Sequence, residues 1–289
     1  MRIDGQDESS NVEDRRGQRG PAPMALGGGM GAIVLALIVW FITGDKDKAL
    51  KVAVQAQRAQ PAQAAPFEPT SPEEEALAKF VKVVLKDTED VWNAEFQKMG
   101  IKYQEPTLVL FSGSVASACG NASASVGPFY CPADKMVYLD LSFYSQMRKQ
   151  LNSPGDFAQA YVVAHEVGHH VQNLLGITEQ VDEKRGTPKE KQYSVRLELQ
   201  ADYLAGVWAH HANQMRDMLE SGDIEEAINC AKQIGDDNLQ KMGQGYVQPE
   251  TFTHGSSRQR AKWFNKGFKS GSLDGANELF EVDYSELEE

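Results

Sequence analysis

Two histidines and a glutamate stand close together in residues 161–176, whose sequence is YVVAHEVGHHVQNLLG. His165 and His169 are four residues apart, so on a helix both rings lie on one face and can direct a nitrogen at one point. Glu166 directly follows the first histidine. In this H-E-x-x-H pattern, two imidazoles hold zinc and the carboxylate takes a proton from zinc-activated water. The pattern therefore predicts metal-assisted hydrolysis, with Glu166 as the general base.

The alternative explanation is a chance match on a packed helix. The surrounding residues favour the metal site, because apolar side chains at helical spacing bury the other side of this helix. Gly168 costs a helix about 1 kcal/mol relative to alanine, which is easier to understand where a second element approaches its backbone. His170 faces elsewhere, and we do not expect it to be a ligand.

A catalytic zinc ion needs a third protein ligand and one open position. The extended motif with a third histidine is excluded, because Gln172 and Leu175 occupy its positions. Glu198 and Asp202 lie four apart on an otherwise apolar segment, where carboxylates are costly unless they are paired or metal-bound. We predict Glu198 as the third ligand and Asp202 as the hydrogen-bond partner of a ligand histidine. Glu190, in a charged and turn-like stretch, is the alternative ligand.

Hydrolysis also needs a donor for the developing oxyanion. His254 is the best candidate, because it lies just ahead of a helix predicted to begin near Ser256. The positive end of that helix would favour a neutral imidazole. The alternative is a structural histidine that caps the turn. The predicted strand at 136–143 either pairs with an extended substrate as an edge strand or lies in the core.

The predicted elements that position these residues are mostly helices. SPEE at 71–74 supplies an N-cap, a proline and a capping-box glutamate, which predict a helix start. Strands are predicted at 107–111 and 136–143, and further helices near Asp156, Ser194, Asp223 and Ser256. Asp156 and Gln159 are predicted to form a capping box at the start of the first of these helices. The order indicates an α+β domain, mostly helical with a small sheet.

The three cysteines are too few for a disulfide scaffold. Cys119 and Cys131 bracket a Gly/Ser-rich loop, and a disulfide between them would contribute roughly 3 kcal/mol in an oxidising compartment. The alternative is two unpaired buried thiols. Cys230 lies in a helical pattern and is predicted to be an inert core residue. The absence of a C-x-x-C spacing argues against a cysteine zinc site.

The N-terminal quarter divides into three segments before the domain at 71–289. Residues 1–23 are predicted to be a disordered tail. Residues 24–44 carry no charge and are long enough to span a bilayer as one helix. A cleaved signal peptide is the alternative, but the first Ala-x-Ala motif, at 62–64, comes too late. Residues 45–70 are rich in Ala, Gln and Pro and are predicted to be a flexible linker.

Charge limits the partners. The net charge of -12 argues against nucleic acid, whose phosphates would be repelled. Basic residues flank the predicted span on both sides, so charge alone does not decide its orientation. The possible disulfide favours a domain outside the cytoplasm.

The sequence resembles a known family. HEVGH followed by E-x-x-x-D is similar to the gluzincin peptidases, of which thermolysin is the familiar member. More closely, the chain resembles the bacterial membrane-anchored "putative neutral zinc metallopeptidase" family. The matching pieces run in family order to about residue 268: SSNVEDRRG, GPFYCPADKMVYLDLSF, VVAHEVGHHVQNLLG, SVRLELQADYLAGVWAHHA, IGDD and FTHGSSRQRAKWFNKGF. Tyr203 departs from the family, which often has a cysteine there.

This resemblance implies a zincin-like domain in the periplasm or outside the cell. It implies that His165, His169 and Glu198 bind zinc, that Glu166 is the base and that Asp202 orients a histidine. The expected function is membrane-anchored hydrolysis of peptide or protein substrates. Two alternatives stay open: a zinc-binding scaffold with little or no turnover, and a hydrolase of non-protein amides.

Overall fold

The computed structural model describes residues 1–18 and 71–288, which are mostly helical. The strands are β1 (Val12–Asp14), β2 (Thr107–Phe111), β3 (Ser114–Ser117), β4 (Gly120–Ser123), β5 (Phe129–Cys131) and β6 (Met136–Asp140). The helices are α1 (Pro72–Lys98), α2 (Ser142–Gln150), α3 (Asp156–Leu174), α4 (Ile177–Asp182), α5 (Glu190–Arg216), α6 (Asp223–Gln233), α7 (Asp236–Gln244), α8 (Ser257–Ser270) and α9 (Glu278–Glu281). Short 3-10 turns at 124–126, 249–251, 274–276 and 284–288 complete the described elements.

Four strands form one sheet in the order β1-β2-β6-β5, and β3 and β4 form a separate hairpin. β1, β2 and β6 run parallel, whereas β5 is antiparallel to β6. The prediction of a strand over 136–143 is too long, because Asp140 ends β6 by accepting a hydrogen bond from the Ser142 amide at 2.9 Å. β6 lies inside the sheet, which agrees with the alternative of a core strand, and the edge strands of this sheet are β1 and β5.

The helical layer begins as its sequence signals predict in two places. Ser71 caps α1 by accepting from the Glu74 amide, and Ser256 forms a capping box with Gln259 at the start of α8. The predicted capping box at Asp156 is wrong. Gly155 occupies the N-cap position of α3, and a carboxylate from α6 accepts the Phe157 amide instead. Such a cap from a distant helix leaves no local signal.

Residues 1–18 pack into the fold, and the prediction of a disordered tail over 1–23 is wrong for this part. β1 pairs with 108–110 of β2. Ser9 donates a hydrogen bond to buried Glu89 on α1 at 2.5 Å. Arg16 lies between Asp14 and the first turn of α1. A strand of three residues among charged neighbours has too short a pattern to be recognised in the sequence.

The predicted membrane helix at 24–44 lies outside the described residues. Within 1–18 and 71–288, no helix is both long enough and apolar enough to cross a membrane. The two described parts also share one sheet, whereas a single crossing between them would separate them by a bilayer. These findings contradict the predicted fold class, which included a preceding membrane helix, and the predicted single-pass localisation.

A buried carboxylate between α1 and α5 makes stability depend on pH. Asp87 is 1% exposed and accepts a hydrogen bond from the Trp208 indole at 2.8 Å. Burial raises the pKa of Asp87 from 3.8 to about 6, although Arg216 and Trp208 oppose the shift. Asp87 ionises at lower pH in the unfolded chain than in the folded protein. Its ionisation therefore lowers the free energy of unfolding as pH rises from 3.8 to about 6.

Asp87→Asn is expected to stabilise the protein by about 3 kcal/mol near neutral pH, because the amide carries no charge to desolvate. The gain should shrink as pH falls through 6 and disappear below 3.8. Urea unfolding of both proteins across this range measures the difference. A gain that does not change with pH would mean that packing, rather than ionisation, is responsible.

Candidate metal centre

Three predicted ligands from two helices meet in one place. His165 and His169 project from the same face of α3 toward Glu198 on α5. His165 Nε2 lies 3.3 Å from Glu198 Oε2, and His169 Nε2 lies 3.5 Å from Glu198 Oε1. The three side chains each offer a ligand atom within 4.8 Å of the others. Glu190, the alternative ligand, instead accepts a hydrogen bond from the Gly186 amide on the surface.

A glycine lets α3 and α5 approach closely enough for this convergence. At Gly168 an added Cβ would lie 3.0 Å from the Ala201 carbonyl oxygen of α5. Such a separation is tighter than ordinary van der Waals contact, so a larger residue would push the helices apart. The sequence interpretation of this glycine, as a point of close approach beside the metal face, agrees with this packing.

Asp202 holds the His165 ring in a defined orientation through a contact with Nδ1. Its side chain is fully buried, and Oδ1 lies 2.9 Å from His165 Nδ1. With Nδ1–H donating to this carboxylate, Nε2 keeps its lone pair free to bind a cation. Tyr161 donates its hydroxyl to the same oxygen. The predicted role of Asp202 therefore has the geometry that it requires.

Arg260 on α8 completes the surroundings of Asp202. Its Nε donates to Oδ2 at 2.8 Å and its Nη2 donates to Oδ1 at 2.9 Å, which is a bidentate pair. Burial would raise the pKa of Asp202, but Arg260 and His165 outweigh it and lower that pKa. Asp202 therefore stays ionised although no solvent reaches it.

Two glycines bring α8 close enough to α5 for this pairing. An added Cβ at Gly206 would lie 2.1 Å from the Phe264 carbonyl oxygen, and one at Gly267 would lie 2.0 Å from that of Tyr203. Real Cβ atoms do not come so near to a backbone atom, so only glycine permits the crossing. This close crossing of α5 and α8 brings Arg260 within hydrogen-bonding distance of Asp202.

Glu198 is strongly acidic in this setting. Burial would raise the pKa of Glu198, but its interactions with His169 and His254 hold that pKa well below its ordinary value. An ionised carboxylate beside two imidazole nitrogens is a donor set that zinc commonly takes in proteins. The residues present therefore fit a zinc ion, with His165, His169 and Glu198 as its ligands.

Glu166 and His254 line the same cleft as the three ligands, and the cleft has a volume of about 450 Å³. Asp236 on α7 orients His254, whose Nδ1 lies 3.2 Å from Oδ1. The other oxygen, Oδ2, accepts the amides of residues 253, 254 and 255. Glu198 and Asp236 raise the pKa of His254, which is opposite to the effect expected from the nearby helix end.

The edge strand β5 forms one wall of the cleft and is fastened at two points. A disulfide joins Cys131 in β5 to Cys119 in the turn between β3 and β4. His170 is fully buried, with Nε2 2.6 Å from the Gln104 carbonyl oxygen and Nδ1 3.0 Å from the Tyr130 hydroxyl. Burial lowers the pKa of His170 to about 4, so its ring is neutral and serves structure.

Cys230 is unpaired and buried in α6, as its helical pattern predicted. Burial raises the pKa of its thiol to about 12. A thiol that is neutral and inaccessible is a poor nucleophile and a poor metal ligand.

Sequence reasoning did not identify Tyr161, Arg260 or Asp236 as parts of the site. Arg260 lies six residues after His254, in a stretch that was noted only for its resemblance to a family. Its signal is weak, because an arginine on an amphipathic helix is usually exposed. Asp236 stands in the doublet of IGDD at the start of α7, where an acidic residue also suits the helix dipole.

Known proteins are similar to this chain over two thirds or more of its length. The chain is 47% identical over 279 residues to the uncharacterized protein YpfJ of Escherichia coli K12, which covers 94% of this chain and 96% of that protein. It is 42% identical over 203 residues to the uncharacterized protein Rv2575 of Mycobacterium tuberculosis H37Rv, covering 67% of this chain and 69% of that protein. No solved structure matches the chain. The sequence profile of the family described as "Putative neutral zinc metallopeptidase" matches residues 1–279, and the chain therefore belongs to that family.

Proposed function

We propose that this protein is a zinc metallopeptidase that hydrolyses peptide bonds in peptide or protein substrates. The observation that carries the proposal is the meeting of His165, His169 and Glu198 in a cleft that Glu166 also lines. A purely structural zinc site has no need of an open cleft or of a general base beside its ligands. The membership of the chain in a family of that description supports the same activity.

The residues of this chain divide the chemistry among them. His165, His169 and Glu198 would hold the ion, and Asp202 keeps the Nε2 lone pair of His165 directed at it. Bound zinc supplies Lewis acidity, which polarises a carbonyl group and makes water a stronger acid. Glu166 accepts a proton from the attacking water and returns it to the leaving amine.

His254 is the proposed donor to the oxyanion. Asp236 engages Nδ1, which leaves Nε2–H as the group that can donate from the same cleft. A hydrogen bond donated by Nε2–H would stabilise a developing negative oxygen. β5 lines the same cleft and, among the described residues, lies at an edge of the sheet, which suits pairing with an extended substrate backbone.

Hydrolysis of a quenched fluorescent peptide library by the full chain tests the function. Activity should disappear on treatment with a zinc chelator and return when zinc is added. A protein that binds zinc but cleaves no peptide, while it releases amines from cell-wall material, would instead be a hydrolase of non-protein amides. Bound zinc with neither activity would favour a scaffold.

A further inference from the structure

Two exposed apolar side chains line the cleft of the candidate centre. Among the described residues, eight large hydrophobic side chains are exposed, and Val126 and Leu239, at 62% and 41%, line the cleft. Three more follow Leu239 along α7 and the loop after it: Met242 at 56%, Tyr246 at 50% and Val247 at 39%. Covering apolar surface contributes about 25 cal/mol per Å², so the exposed side chains of Val126 and Leu239 favour a ligand that covers them inside the cleft.

The interior of the cleft continues this apolar character. Phe129, Phe143 and Ile234 contribute partly buried side chains to its lining. The charged side chains that line the cleft belong to the candidate centre itself. The guanidinium group of Arg260 already forms a bidentate pair with the Asp202 carboxylate. An apolar side chain of a ligand would therefore meet complementary surface, whereas a charged one would lose water without gaining a partner.

The edge strand β5, which forms one wall of the cleft, favours an extended ligand. Within 1–18 and 71–288, β5 pairs with β6 on one side only and lies at an edge of the four-stranded sheet. Its residues Phe129 and Tyr130 line the cleft. A free strand edge binds another extended chain through main-chain hydrogen bonds, whose donors and acceptors are already paired within a folded protein.

We propose that the substrates are unfolded polypeptide segments with exposed large apolar side chains, and that Val126 and Leu239 determine this specificity. The inference rests on the proposed function and deepens it. A folded protein buries such side chains and pairs its own backbone, so it offers the cleft neither of the two features that the cleft recognises. Binding of the substrate would cover Val126 and Leu239.

Two matched fluorescent peptides test this proposal with the full chain. Both are short and extended, and they differ only in carrying leucine or aspartate on the two sides of the central bond. The leucine peptide should have a kcat/KM at least about 10-fold higher, which is the discrimination that one well-filled apolar pocket supplies. Val126→Asp and Leu239→Lys should each remove most of this preference by raising KM for the leucine peptide.

Met215→Lys is the matched control, because Met215 is also an exposed apolar residue on a helix but does not line the cleft. Met215→Lys should leave kcat/KM for both peptides unchanged. Fluorescence anisotropy with zinc-loaded Glu166→Gln protein measures binding of the same peptides without turnover. Equal binding of the two peptides, or a preference that survives both cleft substitutions, would overturn the specificity. Selective binding by a wild-type protein that hydrolyses neither peptide would support the specificity and contradict the peptidase function.

Discussion

Replacing Glu166 with glutamine is expected to reduce the rate of peptide hydrolysis by about 10³-fold while zinc stays bound. Glutamine keeps the size of the side chain but cannot accept a proton, and general base catalysis of this kind contributes roughly 10² to 10⁴-fold. Glu166 is not among the three side chains that converge on the metal position, so zinc content should not change. Initial rates on the leucine peptide and elemental analysis measure the two quantities.

Glu190→Gln is the control for this substitution, because Glu190 is exposed at the start of α5 and away from the cleft. It should have the activity and zinc content of the wild-type protein. If Glu166→Gln retained activity within a few-fold of wild type, another group would have to take the proton. If it lost zinc as well, Glu166 would be a ligand rather than a base.

Replacing Arg260 with methionine is expected to lower the free energy of unfolding by about 3 to 5 kcal/mol, because it leaves the Asp202 carboxylate buried without a counter-charge. Asp202 is fully buried and Arg260 is 3% exposed, so solvent cannot compensate for the loss. Arg260→Lys should recover only part of the stability, since an ammonium group cannot form the bidentate pair. Urea unfolding of the metal-free proteins measures these differences.

The double variant Asp202→Asn with Arg260→Met separates structure from metal binding. It removes both buried charges, so much of the stability should return. Zinc affinity should nevertheless stay roughly 10 to 100-fold below wild type, because His165 has lost the carboxylate that orients its ring. A double variant that is as unstable as Arg260→Met would mean that packing of the arginine, rather than charge pairing, stabilises the helix crossing.

The central part of the site could be predicted because its information is local. His165, Glu166 and His169 are fixed by the 3.6-residue repeat of a single helix, and Glu198 and Asp202 by the same repeat on the next long helix. The sequence could not reveal that Arg260 reaches Asp202 from a third helix. That contact depends on a crossing between glycines far apart in the chain, and composition and periodicity carry no signal for it.

The fold was predicted least well where long-range contacts replace local patterns. Val12–Asp14 is a strand through its pairing with β2, and its own three residues carry no strand pattern. Asp156 resembles a helix cap, yet Glu226 supplies the cap from a distant helix. The same reason explains the membrane error, since hydropathy of one segment says nothing about the packing of the residues on either side of it.

Zinc affinity of the full chain, measured by competition with a fluorescent chelator, tests the central claim most directly. The wild-type protein should bind about one zinc ion per chain. Glu198→Ala should bind it at least about 100-fold more weakly, because a ligand is lost, and Glu190→Ala should bind it as wild type does. Wild-type affinity in Glu198→Ala, or loss of affinity in Glu190→Ala, would contradict the three-ligand centre.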